Sequence, residues 1–216
     1  MNIDVNNIKC PICGQENFST IDSKCIFLNR DIHRLKCHNC GLIFGSIDWI
    51  NMSETDLINE YKKLYSSYSE GDTTECEVQA FLKLNPKKDG IYLNYGSGGE
   101  WTKASKKIKD MGYNLISYDF AFKDSLPDIL FDGIMSNNLI EHLQNPIETF
   151  KLFNRMLKPD GVMSHSTDCY EYKIEYTSFH LYFYEGTSLS MLCEQSGFQI
   201  TDNSFFYKTY KKIKNL

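Results

Sequence analysis

The chain has 216 residues, a mass of 25.1 kDa and 42% hydrophobic residues, a size that suits one medium domain plus a small additional unit. Its net charge of −5 and pI near 5.6 exclude the overall basic field on which nucleic-acid binding generally relies. No apolar run approaches the length of a membrane span, and the N-terminus lacks the layout of a signal peptide. We therefore expect a folded protein of the cytoplasm without a membrane partner.

Two cysteine pairs lie near the N-terminus. Within each pair two residues separate the cysteines and a glycine follows the second, and 23 residues separate one pair from the other. In a reducing compartment this doubled pattern predicts one tetrahedral Zn²⁺ bound by Cys10, Cys13, Cys37 and Cys40. Because protein fills all four positions, the predicted zinc is structural, and residues 1–46 are predicted to form a zinc ribbon.

The strands of the ribbon are predicted between and after the cysteine pairs. Residues 24–28 and 33–36 have the pattern of a hairpin, and residues 42–44 continue its second strand. Three nearby potential ligands fall outside the cysteine pattern and are interpreted as strand or surface residues: Cys25, His33 and His38. Residues 1–50 contain five basic and five acidic residues, so electrostatics does not support a nucleic-acid role for the ribbon.

Residues 47–88 are predicted to form a helical linker. One helix follows the N-cap Ser53, and a second ends at the proline of the Asn85-Pro86 pair. Tyrosines recur between Tyr61 and Tyr68. They either pack a helix against its neighbours or form a lid over a ligand site.

Residues 91–101 lead from an apolar strand into a glycine-dense turn, and a helix is predicted over residues 102–111. The backbone N–H groups of such a turn can approach a ligand closely, with a helix N-terminus directed at it. A second strand over residues 113–118 ends at Asp119, 23 positions after Gly96. A carboxylate in that place can accept hydrogen bonds from the two hydroxyls of a ribose.

The remainder of the chain alternates between strand and helix patterns. Strands are predicted over residues 131–137, 162–166, 198–200 and 205–210, and helices over residues 145–157 and 187–197. This alternation predicts an α/β sheet whose ligand crevice lies at the carboxyl ends of the strands.

Five segments, in this order, resemble the class I S-adenosylmethionine-dependent methyltransferases: residues 93–101, Asp119, residues 131–146, residues 155–162 and residues 180–198. The resemblance implies a Rossmann-like α/β methyltransferase domain over residues 89–216, with S-adenosylmethionine as cofactor. Carried over position by position, it implies these cofactor contacts: Asn94, Gly96, Ser97, Gly98, Gly99, Asp119 and Asn137.

The zinc module combined with this domain is similar to the methyltransferases that act on nucleotide-linked deoxysugars. In those enzymes a Glu-His pair lies beside the substrate, and the matching positions here are Glu141 and His142. The resemblance thus implies a small carbohydrate substrate.

Two features depart from the family pattern. Asn94 replaces the usual acid, and Glu100 stands at the third glycine unless one residue is deleted. Between Asp119 and Phe131 lie eleven residues, which reach roughly 36 Å and cannot build another strand and two helices. We therefore predict that the third strand is missing and the adenine pocket is shallow. The linker helices, the ribbon or a second subunit in a homodimer should cover the exposed sheet face.

Methyl transfer to an alcohol needs a base, and histidine suits this role near neutral pH. The leading candidate is His142, followed by His180 and His165, although each could be a hydrogen-bonded structural residue instead. A second metal bound by His165, Cys169 and His180 would match no tight ligand spacing. Two alternatives to a sugar methyltransferase remain: an inactive zinc-containing scaffold protein with a degenerate crevice, and an RNA methyltransferase that uses the ribbon as a reader.

Overall fold

A computed structural model describes residues 8–25, 30–67, 71–99, 102–120, 125–173 and 177–216. Its strands are β1 (Phe18–Cys25), β2 (Arg30–Cys37), β3 (Ile43–Phe44), β4 (Ile91–Tyr95), β5 (Asn114–Tyr118), β6 (Phe131–Asn137), β7 (Leu157–Ser166), β8 (Tyr182–Phe183), β9 (Phe198–Asn203) and β10 (Tyr207–Lys212). Its α-helices are α1 (Ile47–Ile50), α2 (Glu54–Ser67), α3 (Thr74–Leu82), α4 (Lys103–Asp110), α5 (Pro146–Met156) and α6 (Ser188–Gln195). A short 3₁₀ helix spans Ile140–His142.

Six strands form the large sheet in the order β5-β4-β6-β7-β10-β9. The first four strands are parallel, and β10 pairs antiparallel with both β7 and β9. This is the Rossmann-like α/β arrangement that the resemblance implied. Strand β5 is the edge of the sheet, and the described residues between Asp119 and Phe131 contain no further strand. The structure thus confirms the predicted absence of the third strand within the described part of the chain.

A linker helix covers one face of the large sheet. Helix α3 contacts β6 and α4, and its Phe81 ring packs edge-on against Tyr92 and Tyr113. A separate hydrophobic cluster joins α3 and α4 to the sheet: Val78, Phe81, Leu84, Tyr92, Ile108, Leu115 and Met135. The linker helix α3 therefore buries apolar surface of the sheet together with α4, which keeps this part of the sheet face away from water.

The N-terminal strands belong to a second sheet, in the order β1-β2-β3-β8. Strand β1 begins at Phe18, earlier than predicted, and pairs with β2 over its whole length. Residues 26–28 of the predicted strand lie outside the described part of the chain. Strand β8 comes from the C-terminal half of the chain, and its pairing with β3 was not predicted. The two halves also share one hydrophobic core, in which Phe44 and Trp49 join Phe179.

None of the helices in the described ranges has the length and apolar character needed to cross a bilayer.

Candidate functional site

The four cysteines of the predicted ribbon meet at one point. The sulfurs of Cys10, Cys13, Cys37 and Cys40 lie within 4.8 Å of one another, with Cys10 3.6 Å from Cys40 and Cys13 3.5 Å from Cys37. Each pair sits in a tight turn closed by a glycine N–H bond to the carbonyl of its first cysteine. Four thiols at this spacing fit one tetrahedral zinc ion and leave no open position for chemistry.

The ribbon is connected directly to the loop 177–181, which follows β7. The N–H of Gly45, just after β3, donates to the carbonyl of Leu181 at 3.0 Å. The N–H of Leu181 in turn donates to the carbonyl of Glu141 at 2.7 Å. A continuous path of backbone hydrogen bonds therefore leads from the ribbon through this loop to the segment after β6.

Arg34 of strand β2 reinforces that connection from inside the protein. Its side chain has no exposed surface, and its guanidinium donates to the carbonyls of Thr177 at 2.8 Å and His180 at 3.2 Å. The same group lies 5.0 Å from the centre of the Phe183 ring, within cation–π range. Since a planar guanidinium can bind several acceptors in one plane, Arg34 holds the loop 177–181 in a defined position.

Three candidates for chemistry come together at the carboxyl ends of β6 and β7. Glu141, His142 and His180, here called the Glu-His-His cluster, each place a potential ligand atom within 4.8 Å of the others. The two imidazole rings are 5.0 Å apart and nearly perpendicular. The ring of Tyr61, from α2, lies 6.0 Å from His142 and so packs against the cluster. The structure thus supports packing for Tyr61, while Tyr68 of the proposed lid lies outside the described residues.

Each member of the cluster is held by a second contact. Nδ1 of His142 lies 2.8 Å from the Phe179 carbonyl, which accepts its hydrogen, and Thr167 donates its hydroxyl to Oε1 of Glu141 at 2.6 Å. Burial first, and then proximity to His142 and to the Arg34 guanidinium, lowers the pKa of His180 well below its usual value. The imidazole of His180 is therefore uncharged near pH 7, and it lies beside the side chain of Glu141, which is 1% exposed.

His165, the remaining histidine candidate, lies in the core. It has no exposed surface, its Nδ1 is 2.5 Å from the Ser136 hydroxyl, and rings of Phe150, Phe153 and Tyr210 surround it. Burial lowers the pKa of His165 to about 3. A side chain enclosed in this way does not reach the crevice, so we leave it out of the proposed chemistry.

The glycine turn, residues 96–99, lies at the carboxyl end of β4 and is bonded to the end of β5. Gly96, Gly98 and Gly99 have φ values of 77°, 66° and 115°, which side chains rarely adopt. The N–H groups of Gly96 and Ser97 donate to the Tyr118 carbonyl at 2.8 and 3.1 Å. A Cβ on Gly96 would meet the Leu139 side chain at 2.7 Å, so the turn lies directly against the segment that carries the Glu-His-His cluster.

Asp119 and the two asparagines occupy different positions around the turn. Asp119 accepts the N–H of Gly98 at 2.8 Å, which places its carboxylate beside the turn. Asn137, at the end of β6, accepts the hydroxyl of Ser166 at 2.6 Å. Asn94 is 1% exposed and its amide lies 3.5 Å from Glu77 of α3, so its side chain faces the linker helix.

These residues fit an adenosyl cofactor by type. A carboxylate at the end of β5 suits ribose hydroxyls, and the close approach permitted by the glycines suits a ligand lying on the backbone. Helix α4, which begins at Lys103, has its positive dipole end after the turn and suits the carboxylate of a methionine moiety. Asp119, the glycine turn and this helix end would therefore hold S-adenosylmethionine.

Two residues of the site were not predicted from sequence. Arg34 lies two residues after Ile32 in β2, so both side chains are on the buried face of the strand. A charged residue at a position that alternation assigns to the core was the signal in the sequence that could have identified it. Thr167 directly follows the predicted strand 162–166, where side chains reach the crevice, but a threonine at a strand end is too common to be singled out.

Comparison with known proteins assigns the fold to a family. Residues 73–203, more than half of the chain, match the family described as methyltransferase domain. No match was found among curated proteins.

Solved methyltransferase structures match this chain at low identity. A methyltransferase of Thermotoga maritima, described as a possible histamine N-methyltransferase, is 17% identical over 74% of this chain and 97% of its own, with a TM-score of 0.43. A methyltransferase of Clostridium acetobutylicum is 12% identical over 74% of this chain and 99% of its own, with a TM-score of 0.40. These values are too low to bear on the substrate. On the match over residues 73–203, this chain belongs to the methyltransferase-domain family and is an S-adenosylmethionine-dependent methyltransferase.

Proposed function

We propose that the protein methylates a hydroxyl group of a small polar acceptor, a sugar or nucleotide-linked sugar. The observation that supports this most is the Glu-His-His cluster, whose segment packs through Leu139 against Gly96 of the glycine turn. A cluster that can accept a proton therefore lies next to the glycine turn that would hold the cofactor. The Glu-His pair and the N-terminal ribbon support the sugar class by resemblance.

His142 is the proposed base. Its Nδ1 is bonded to the Phe179 carbonyl, which fixes the ring and leaves Nε2 as the nitrogen that takes the proton of the acceptor hydroxyl. Glu141 contributes a negative charge that favours the protonated imidazole, and His180 lies against the same ring. When bound, S-adenosylmethionine supplies an activated methyl group, and transfer to the acceptor oxygen breaks the carbon–sulfur bond and leaves S-adenosylhomocysteine.

We also propose that Cys10, Cys13, Cys37 and Cys40 bind one structural Zn²⁺. The spacing of their sulfurs supports this proposal, because four thiolates complete a tetrahedral zinc site without water. The zinc would stabilise the strands that carry Arg34 and β3, and through them the loop 177–181.

Binding and turnover experiments test the enzyme proposal separately. S-adenosylhomocysteine at a hundred times its Kd should raise the free energy of unfolding by about 2.7 kcal/mol. His142→Ala should keep that shift and lose turnover by about 100-fold or more, as expected for removal of a general base. His33→Ala, on the ribbon surface, is the matched control and should retain both properties. Absence of any thermal shift with either form of the cofactor would contradict the proposal.

A further inference from the structure

We propose that Glu141, His142 and His180 also form a binding site for a divalent transition-metal cation of the zinc class. Their potential ligand atoms lie within 4.8 Å of one another. Two imidazoles and one carboxylate are a donor set found in catalytic zinc sites, which keep a further position open for water or substrate. This site would be separate from the proposed zinc site of the four cysteines. Unlike that site, it would have an open coordination position.

The contacts of the two histidines match those of metal ligands. Nδ1 of His142 lies 2.8 Å from the Phe179 carbonyl, and Nδ1 of His180 lies 3.3 Å from the sulfur of Cys169. Histidines that bind metals generally donate one ring N–H to a carbonyl or carboxylate, as His142 does to Phe179, which fixes the tautomer and directs the other nitrogen at the cation. The sulfur of Cys169 is a weaker acceptor in the corresponding place beside His180. Nε2 is therefore the atom of each ring that would bind the metal.

Glu141 has the corresponding arrangement for a carboxylate ligand. Its Oε1 accepts the hydroxyl of Thr167 at 2.6 Å, and the side chain is 1% exposed. Metal-binding carboxylates are commonly oriented by hydrogen bonds of this kind. The positive guanidinium of Arg34 bonds to the His180 carbonyl and by itself would disfavour a cation nearby. The negative charge of Glu141 offsets this positive charge.

The spacing requires a modest contraction on binding. A tetrahedral zinc ion with ligands at about 2.0–2.1 Å holds its donor atoms roughly 3.4 Å apart. Atoms within 4.8 Å of one another reach that spacing with shifts of about 1 Å. Both histidines are partly exposed, which gives a cation access to the site.

The consequence for catalysis rests on the proposed function. The base assignment of His142 applies to the protein without this second cation, because one nitrogen cannot hold a cation and accept a proton at the same time. In the metal-bound protein, an acceptor hydroxyl in the open position would be acidified by the cation and release its proton to solvent. The site would then select acceptors that offer an oxygen ligand, as a sugar hydroxyl does.

Metal content tests the site directly. Full-length protein with its ribbon cation in place would be dialysed against Zn²⁺ and analysed for zinc per chain. Wild-type protein should hold two equivalents, whereas His142→Ala and His180→Ala should hold one. His33→Ala is the matched control and should hold two. Thr167→Val, which removes the hydrogen bond to Glu141, should weaken the second equivalent about 10–100-fold.

The Glu141→Gln variant distinguishes loss of a metal ligand from a folding defect. It keeps an oxygen that accepts the Thr167 hydroxyl but removes the charge, so it should fold and bind the second equivalent at least about tenfold more weakly. A single equivalent in wild-type protein would overturn the metal site, as would a second equivalent with unchanged Kd in both histidine variants. These measurements contain neither cofactor nor acceptor, so their failure is distinct from a missing response to S-adenosylhomocysteine.

Discussion

On the ribbon side of the molecule, contacts between distant parts of the chain hold the segments of the Glu-His-His cluster. The glycine turn, in contrast, is bonded to the end of the neighbouring strand β5, at an open sheet edge. The ribbon contributes β3, Arg34 and the bond from the Thr187 N–H to the Cys40 carbonyl at 2.9 Å. Beyond β5, Ile129 and Leu130 remain 43% and 48% exposed. The proposed acceptor site therefore depends on the ribbon for its shape, while the proposed cofactor site depends on the glycine turn itself.

Loss of the zinc ion proposed for the four cysteines should have the largest effect. Structural zinc contributes on the order of 10 kcal/mol to the folding of small zinc domains, so Cys37→Ser or strong chelation should unfold the ribbon and release β8. Hydrogen exchange over residues 177–184 should then accelerate more than exchange in β4. Cys76→Ser, outside the ribbon, is the control. Unchanged exchange in the loop after metal loss would contradict the dependence of the acceptor site on the ribbon.

Arg34→Met should separate the contribution of the guanidinium from the contribution of the zinc ion. It leaves the carbonyls of Thr177 and His180 without this donor, and we expect a loss of about 3 kcal/mol in the free energy of unfolding. The zinc bound by the four cysteines should remain at one equivalent per chain. Arg155→Met, at an exposed position of α5, should change stability little. Equal stability of the two variants would show that Arg34 does not hold the loop.

Gly96→Ala should disturb the cofactor side alone. The φ of 77° and the contact with Leu139 at 2.7 Å predict a strain of about 1–2 kcal/mol, visible as a lower melting temperature and weaker S-adenosylhomocysteine binding. Gly71→Ala is the control, because a Cβ there meets nothing within 4 Å. A Gly96→Ala protein with normal cofactor affinity would show that the turn does not contact the ligand.

Asp119→Asn should have the smallest effect. The asparagine oxygen can still accept the Gly98 N–H, but it loses the charge that favours ribose hydroxyls, so cofactor affinity should fall about tenfold, or about 1.4 kcal/mol. Calorimetric titration with S-adenosylhomocysteine measures the change. Asp128→Asn, exposed in the following segment, should bind like wild type. Identical affinities of the two variants would argue against the ribose contact.

Much of the fold was predictable because its signals are local. The doubled cysteine spacing predicted four sulfurs that the structure brings together, and the hydrophobic periodicities predicted the helices and strands of the large sheet. The eleven residues between Asp119 and Phe131 predicted the missing strand, since chain length limits what a segment can build. Each of these inferences needs only neighbouring residues.

The tertiary structure alone decided which distant residues meet. Arg34 and the Thr177 carbonyl are 143 positions apart, and no periodicity relates them. The same holds for the pairing of β3 with β8, for the meeting of His142 with His180, and for the burial of His165 among aromatic rings. Sequence by itself determined the elements, the cysteine set and the candidate histidines. Packing determined their roles, because burial and partners depend on contacts that form only when the whole chain folds.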